Sequence, residues 1–262
     1  MQSGMPISPT IPRAALITGG AQRLGRAMAL ALAGAGFDIA IHYHASTDAA
    51  EATAVDIRAL GRRAVVLRAN LSSEPEAETL LPRARAELGP IGVLINNAST
   101  FERDEWSDTT RESWDSHIEP NLRAPFVLMQ QFARALPATA EGAIINMLDQ
   151  RVWSLTQHFM SYTVSKAGLW ALTQSMALAL APRIRVNGIG PGPALPNARQ
   201  TKEQFDRQVA SMPLGRGTTP DEVGHAALAI LCLPAMTGQM IALDGGQHMQ
   251  WGSVRNVPSL EE

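Results

Sequence analysis

The sequence lacks most of the features that would take it out of the ordinary globular class. It has one cysteine in 262 residues, which excludes an intramolecular disulfide. That residue, Cys232, lies in the apolar run from Ala226 to Leu233 and reads as a small buried hydrophobe. Nothing near it supplies the electropositive pocket of a reactive thiolate. No stretch approaches the roughly 18 apolar residues of a membrane span. The opening MQSGMPISPTIPR has neither the charged start nor the apolar core of a signal peptide. A cytoplasmic protein is expected, with residues 1–12 as a loose tail. The formal charge is only −2, and neither a basic stripe nor an acidic run is present. Nucleic acid and membrane surfaces are therefore poor partners, and a small-molecule substrate is the expectation. No metal is expected.

What is present is a chain that can build a buried sheet, with 45% hydrophobic and 18% charged residues. No linker, repeat or low-complexity tract divides it, so residues 13–262 read as one domain. Seven short apolar runs read as strands: Ala14–Thr18, Phe37–Tyr43, Ala64–Ala69, Val93–Asn96, Ala143–Leu148, Ile184–Asn187 and Met240–Leu243. Most are continuous rather than alternating, as in strands buried on both faces. Helical patterns fill the gaps at Leu24–Ala33, Asp48–Leu60, Glu74–Leu88 and, as one long helix, within Arg111–Leu136. Thr219, Pro220 and Glu222 form a helix start with a capping box. Such alternation predicts an α/β Rossmann-type fold, doubly wound, with a seven-stranded mainly parallel sheet and helices on both faces. Ligands then sit outside the carboxyl ends of the strands. Gly190–Met212, broken by several prolines, is expected to be a loop, either a mobile cover or a plain surface excursion.

The first strand runs into Thr18-Gly19-Gly20-Ala21-Gln22-Arg23-Leu24-Gly25 and then a helix. A glycine turn there lets backbone N–H groups approach a pyrophosphate at a helix N-terminus. Where an NAD site usually keeps an acid on its second strand, this chain has Ile41-His42-Tyr43-His44-Ala45-Ser46. His42, His44, Ser46 and the nearby Arg23 can instead donate to a 2′-phosphate, so NADPH is the expected cofactor.

Tyr162 and Lys166 stand four apart on an apolar helix reaching to about Ala181, hence on one face. A phenol alone, with a pKa of about 10, is a sluggish acid and base near neutrality. A neighbouring ammonium favours the phenolate and suits the phenol to exchange a proton during hydride transfer. Asp149 ends the fifth strand, thirteen residues earlier.

Together these motifs resemble the short-chain dehydrogenase/reductases, from Ala14 to about His248. The likeness rests on the glycine turn, Asn96-Asn97-Ala98, Asn121, Tyr162 with Lys166, and Gly190-Pro191-Gly192. Most members carry Ser where this chain has Asp149. An ionised carboxylate cannot donate to a carbonyl oxygen, but it can accept from N–H groups or, protonated, deliver a proton. Arg23, His42-Tyr43-His44, Asn97-Ala98-Ser99-Thr100-Phe101 and Asn146-Met147-Leu148-Asp149 resemble the pteridine reductases in particular, and bacterial dihydromonapterin reductases share much of the pattern. The resemblance implies cofactor contacts at Gly19, Arg23, Leu24, Gly25, His42, Tyr43, His44, Ser46, Asn70, Leu71, Asn97, Ala98, Ser99, Lys166, Pro191 and Gly192. It implies a catalytic set of Asp149, Tyr162, Lys166 and Asn121, with Ser99, Phe101, Asp149 and Tyr162 on the substrate. Asn70 stands where the family usually has Asp, and Ala45 replaces a basic residue. Pro120 should kink the helix at Asn121.

The function that follows is NADPH-dependent reduction of a pterin. The alternatives are a carbonyl reductase of the same fold and an NADPH-binding protein without turnover. A homotetramer is implied by the resemblance, with Leu169, Trp170, Leu172 and Met176 open to either an interface or core packing. Gly245–Trp251 is a candidate cover for the site.

Overall fold

The computed structural model describes residues 6–196 and 199–249. Seven strands form one sheet: β1 (Ala14–Ile17), β2 (Asp38–Tyr43), β3 (Ala64–Arg68), β4 (Val93–Asn96), β5 (Gly142–Met147), β6 (Ile184–Pro191) and β7 (Met240–Leu243). Their order is β3-β2-β1-β4-β5-β6-β7, and every neighbouring pair is parallel. Leu16 of β1 sits against Ala40 of β2 on one side and Leu94 of β4 on the other. The strand order reverses between β1 and β4, so a crevice opens at their carboxyl ends.

Eight helices accompany the strands: α1 (Arg23–Gly34), α2 (Thr47–Ala59), α3 (Glu74–Leu88), α4 (Arg111–Ile118), α5 (Ala124–Ala135), α6 (Met160–Leu180), α7 (Lys202–Ala210) and α8 (Pro220–Cys232). One face of the sheet packs on α1, α2 and α8 through Met28, Leu32, Ile57 and Ile230. The other packs on α3, α5 and α6 through Leu80, Leu128, Phe132 and Leu169. Leu169 is core, and Trp170, Leu172 and Met176 are partly buried against it. Cys232 is half-buried at the end of α8.

Three expectations change. The long helix is continuous but not uniformly α: its segments α4 and α5 are joined by a π-helical turn at Glu119–Arg123, in which the Ala124 N–H reaches back to the Glu119 carbonyl. Pro120 has no N–H to give, and the wide turn accommodates it without breaking the helix. Part of Gly190–Met212 is not loop: β6 runs on to Pro191, and α7 is closed by a Thr201–Gln204 capping box. The tail is also anchored from Pro6 on. Ser8 and Thr10 both donate to the Glu141 carboxylate at 2.7 Å, and Ile11 is buried in the core.

The end of β2 grips the glycine turn. His42 Nδ1 accepts from the Gly19 N–H at 3.1 Å, its Nε2 donates to the Ala69 carbonyl at 3.1 Å, and the His42 carbonyl accepts from the Gly20 N–H. Burial pushes the imidazole down from about 6.5 to about 4. A histidine that must stay neutral when folded stabilises the fold above about pH 6.5, and that stability drains away as pH falls toward about 4. The loss should amount to about 3 kcal/mol for the shift of His42, measured by urea unfolding across this range. A His42→Asn variant should start less stable and show a flatter acid dependence.

Candidate active site

The glycine turn is built for close approach. Gly19 lies in the left-handed region at φ 60°, and a Cβ on Gly25 would stand 2.1 Å from the Gly19 carbonyl oxygen. Arg23, in the same turn, is itself left-handed at φ 53° although it is not a glycine. Asn97, just past β4, holds the turn from the other side, donating through Nδ2 to the carbonyls of Thr18 and Gly19 at 2.9 and 3.1 Å. Thr18 Oγ1 accepts in return from the N–H groups of Asn97 and Ala98. The helix α1 that follows has no side-chain cap and no acidic residue in its first turn. Its N-terminal N–H groups are thus left for an anion.

A cavity of about 300 Å³ opens beside this turn and reaches the ends of β5 and β6. Ten of the expected site residues line it: Arg23, Leu24, Asn97, Ser99, Phe101, Asp149, Tyr162, Lys166, Pro191 and Gly192. Gly19 and Gly25 belong to the turn behind the wall, and Ala98, past β4, packs against Gly19. Tyr43, His44, Ser46, Asn70 and Leu71 stand away from the cavity, at the ends of β2 and β3.

Tyr162 and Lys166 both face inward from the first turns of α6, the phenol 6% and the ammonium 3% exposed. Lys166 Nζ donates to the Met147 carbonyl at 2.8 Å and lies 5.8 Å from the phenol ring centroid. Burial pushes the ammonium down from about 10.5 to about 8, with the Asp149 carboxylate opposing the shift. The Tyr162 hydroxyl donates to Asp149 Oδ2 at 2.8 Å. Asp149 Oδ1 accepts from the Arg151 N–H at 2.8 Å, so the carboxylate also caps the short 3₁₀ turn Gln150–Val152. Phenol, carboxylate and ammonium therefore meet in one corner of the cavity.

An aromatic wall faces that corner. Phe101 stacks on Phe159 with centroids 4.6 Å apart and planes at 5°, and meets Tyr162 edge-on at 4.7 Å. The guanidinium groups of Arg151 and Arg199 lie 5.5 and 5.7 Å from the Phe101 centroid. Arg199 also ion-pairs with Glu102 and donates to the Phe101 carbonyl.

Several residues do not stand where their expected roles would put them. His42 is buried with both ring nitrogens engaged, so it supports the turn and cannot face a phosphate. Arg23 turns toward the cavity and donates to the Pro196 and Leu195 carbonyls at 3.1 and 3.3 Å, rather than toward the end of β2. Asn121 is fully buried outside the cavity wall. Its Oδ1 accepts from the Thr100 N–H, and its Nδ2 donates to the Thr100 carbonyl and Ser165 Oγ. It tethers the loop after β4 instead of facing the cavity. The Asn70 side-chain carbonyl accepts from the Ser72 N–H. Gln247 lines the cavity, while Gln250 and Trp251 lie outside the described residues. Sequence reasoning missed Arg68, which ends β3 beside Tyr43 and donates through Nε to the His44 carbonyl at 3.3 Å. Strand adjacency, rather than spacing along the chain, brings it there. Among the described residues no cluster could hold a metal ion, and no helix is long and apolar enough to cross a membrane.

The chain matches the family model described as enoyl-(acyl carrier protein) reductase over residues 19–248. It is 29% identical to the 3-oxoacyl-acyl-carrier-protein reductase FabG of Staphylococcus epidermidis, covering 90% of this chain and 99% of the relative. Against a short-chain dehydrogenase/reductase of Armillaria gallica the identity is 32%, over 89% and 95% of the two chains. Among solved structures, FolM alternative dihydrofolate reductase 1 of Brucella suis, in complex with NADP, is 43% identical with a TM-score of 0.90, covering 93% of this chain and 98% of that one. The family model spans most of the chain, and the relatives are covered almost end to end: the chain belongs to the short-chain dehydrogenase/reductase family.

Proposed function

We propose that this protein is an NADPH-dependent pterin reductase. The observation that carries the reading is the 2.8 Å hydrogen bond from the Tyr162 phenol to the Asp149 carboxylate at the cavity corner. A carbonyl reductase needs a hydroxyl donor there for the developing oxyanion, and a carboxylate repels it. A pterin offers an amino group and ring nitrogens instead: a carboxylate can accept from the amino group, and a protonated carboxyl group can deliver its proton to a ring nitrogen. The flat Phe101 surface suits such a ring, and the likeness to the Brucella enzyme points the same way.

The chain fits the cofactor. The uncapped α1 N-terminus suits a pyrophosphate, and no carboxylate stands among His42–Ser46 to select a free ribose hydroxyl. His44 is exposed and Ser46, at the start of α2, makes no side-chain cap, which supports both as donors to a 2′-phosphate. Arg68 supplies the fixed charge that Ala45 does not. When bound, the reduced nicotinamide supplies the hydride. Lys166 holds its positive charge beside the phenol, Tyr162 moves a proton toward the substrate, and Asp149 orients the ring and shares that proton. Ser99, exposed on the cavity rim, reaches the ring edge. Val164 and Leu178, exposed on α6, are apolar positions that assembly into four copies would cover.

A second reading, reduction of a ketone or 3-oxoacyl thioester, is favoured by the likeness to the Staphylococcus enzyme and the family model. NADPH oxidation against a pterin panel and a ketone panel decides between them. Pterin turnover is expected, and Asp149→Ser should lower it by about 100-fold while leaving any ketone reduction intact or improved. Turnover of ketones alone would leave only the second reading. Because the Lys166 ammonium titrates at about 8, reduction should fall by roughly tenfold per pH unit above that point, read from a pH–rate profile. Arg68→Ala should weaken NADPH by about tenfold and leave NADH within about twofold, measured by fluorescence titration.

A further inference from the structure

The helix that carries Tyr162 begins in an unusual way. Its N-cap is Phe159, left-handed at φ 62°, with no side-chain oxygen to satisfy the first N–H groups of the helix. Those groups find their acceptor in a different segment. Asp104, in the loop after β4, accepts the Phe159 N–H on its backbone carbonyl at 2.9 Å. Its carboxylate accepts the Ser161 N–H at 3.3 Å to each oxygen and the Ser161 hydroxyl at 2.5 Å. A carboxylate at a helix N-terminus is favoured by the helix dipole.

The chain of bonds continues into α4. His117 Nε2 accepts the Glu102 N–H at 3.0 Å, which leaves the ring hydrogen on Nδ1. Nδ1 lies 2.7 Å from Ser161 Oγ and 3.1 Å from the Ser113 carbonyl, so its hydrogen is shared between Ser161 and the backbone of α4, and Ser161 in turn donates to Asp104. Asp104 is 4% exposed, and Ser161 and His117 are fully buried. Burial also holds His117 below its ordinary range, which keeps the ring neutral as this pattern requires.

Three elements are thereby locked at one point. The loop bearing Asp104 and Glu102 also bears Phe101, the helix bearing Ser161 also bears Tyr162, and Phe101 touches both Phe159 and Tyr162. We infer that Asp104, Ser161 and His117 are positioning residues, a cap supplied from across the fold that sets the aromatic substrate wall at a fixed distance from the proton-donating phenol. The trio does not face the substrate; it acts through Phe101 and Tyr162. A displacement of about 1 Å at a reacting group can cost about 100-fold in rate, so a loss of register here should appear in turnover before it appears in folding.

The inference rests on Tyr162 as proton donor and not on the identity of the substrate, so its test uses whichever compound of the two panels the wild type reduces. Ser161→Ala should lower kcat by about tenfold and raise KM, while cofactor affinity by fluorescence quenching stays within about twofold. His117→Ala should do the same. His117→Asn, which places an amide donor near the position of Nδ1, should recover most of the loss. With only two tyrosines in the chain, ¹³Cζ-tyrosine NMR reads the phenol directly without any turnover. The Tyr162 resonance, assigned with Tyr162→Phe, should shift its titration midpoint in Ser161→Ala while Tyr43 stays put. Unchanged kcat, KM and Tyr162 titration in a folded Ser161→Ala protein would overturn the inference. So would kinetic losses with no recovery in His117→Asn that track the fall in Tm alone.

Discussion

Taking the ammonium of Lys166 out of water costs on the order of several kcal/mol, and the site is arranged around offsetting that cost. The Met147 carbonyl at the end of β5 accepts from it, and the Asp149 carboxylate two residues on provides the compensating negative charge. Both lie where a parallel strand stops, so the sheet's own geometry delivers the acceptor and the counter-charge together. The phenol of Tyr162 then sits between a cation held by the strand and an anion capping the next turn. Moving any one of the three forces the others to find new partners, since each side chain is largely buried.

The same economy of position governs the phosphate turn. Asn97 from β4 and His42 from β2 clamp it from both sides of β1, so the turn's shape is fixed by its two neighbouring strands. A glycine-rich segment would otherwise be the softest part of the chain.

Much of this was readable beforehand. The seven strands and the crevice at their carboxyl ends follow from apolar continuity, and the shared face of Tyr162 and Lys166 from spacing of four on a helix; that Asp149 joins them is what the family resemblance implied. What sequence periodicity could not show was direction. His42 and His44, two apart, would share a face on a continuing strand, but β2 ends at Tyr43, so His42 turns into the interior while His44 lies exposed past the strand end; the residue that looked like a ligand is a buried prop. Arg23 sits in the turn as expected, yet its left-handed backbone aims the guanidinium at the segment after β6. The Asp104–Ser161–His117 cap escaped notice because its members lie far apart in the chain and an N-cap of Phe gives no local signal. The helix α7 did carry one, the Thr201–Gln204 pair, hidden among the prolines around it.

The Arg23 contact has a consequence for how the two sides of the cavity are joined. Two carbonyls, those of Leu195 and Pro196, are tied to a turn on the opposite bank of the crevice. A guanidinium carries five hydrogens in a rigid plane, so it can keep that grip while presenting its remaining edge to an anion. Arg23 thus fastens the glycine turn to the segment after β6, so the two banks of the cleft are spliced through one side chain.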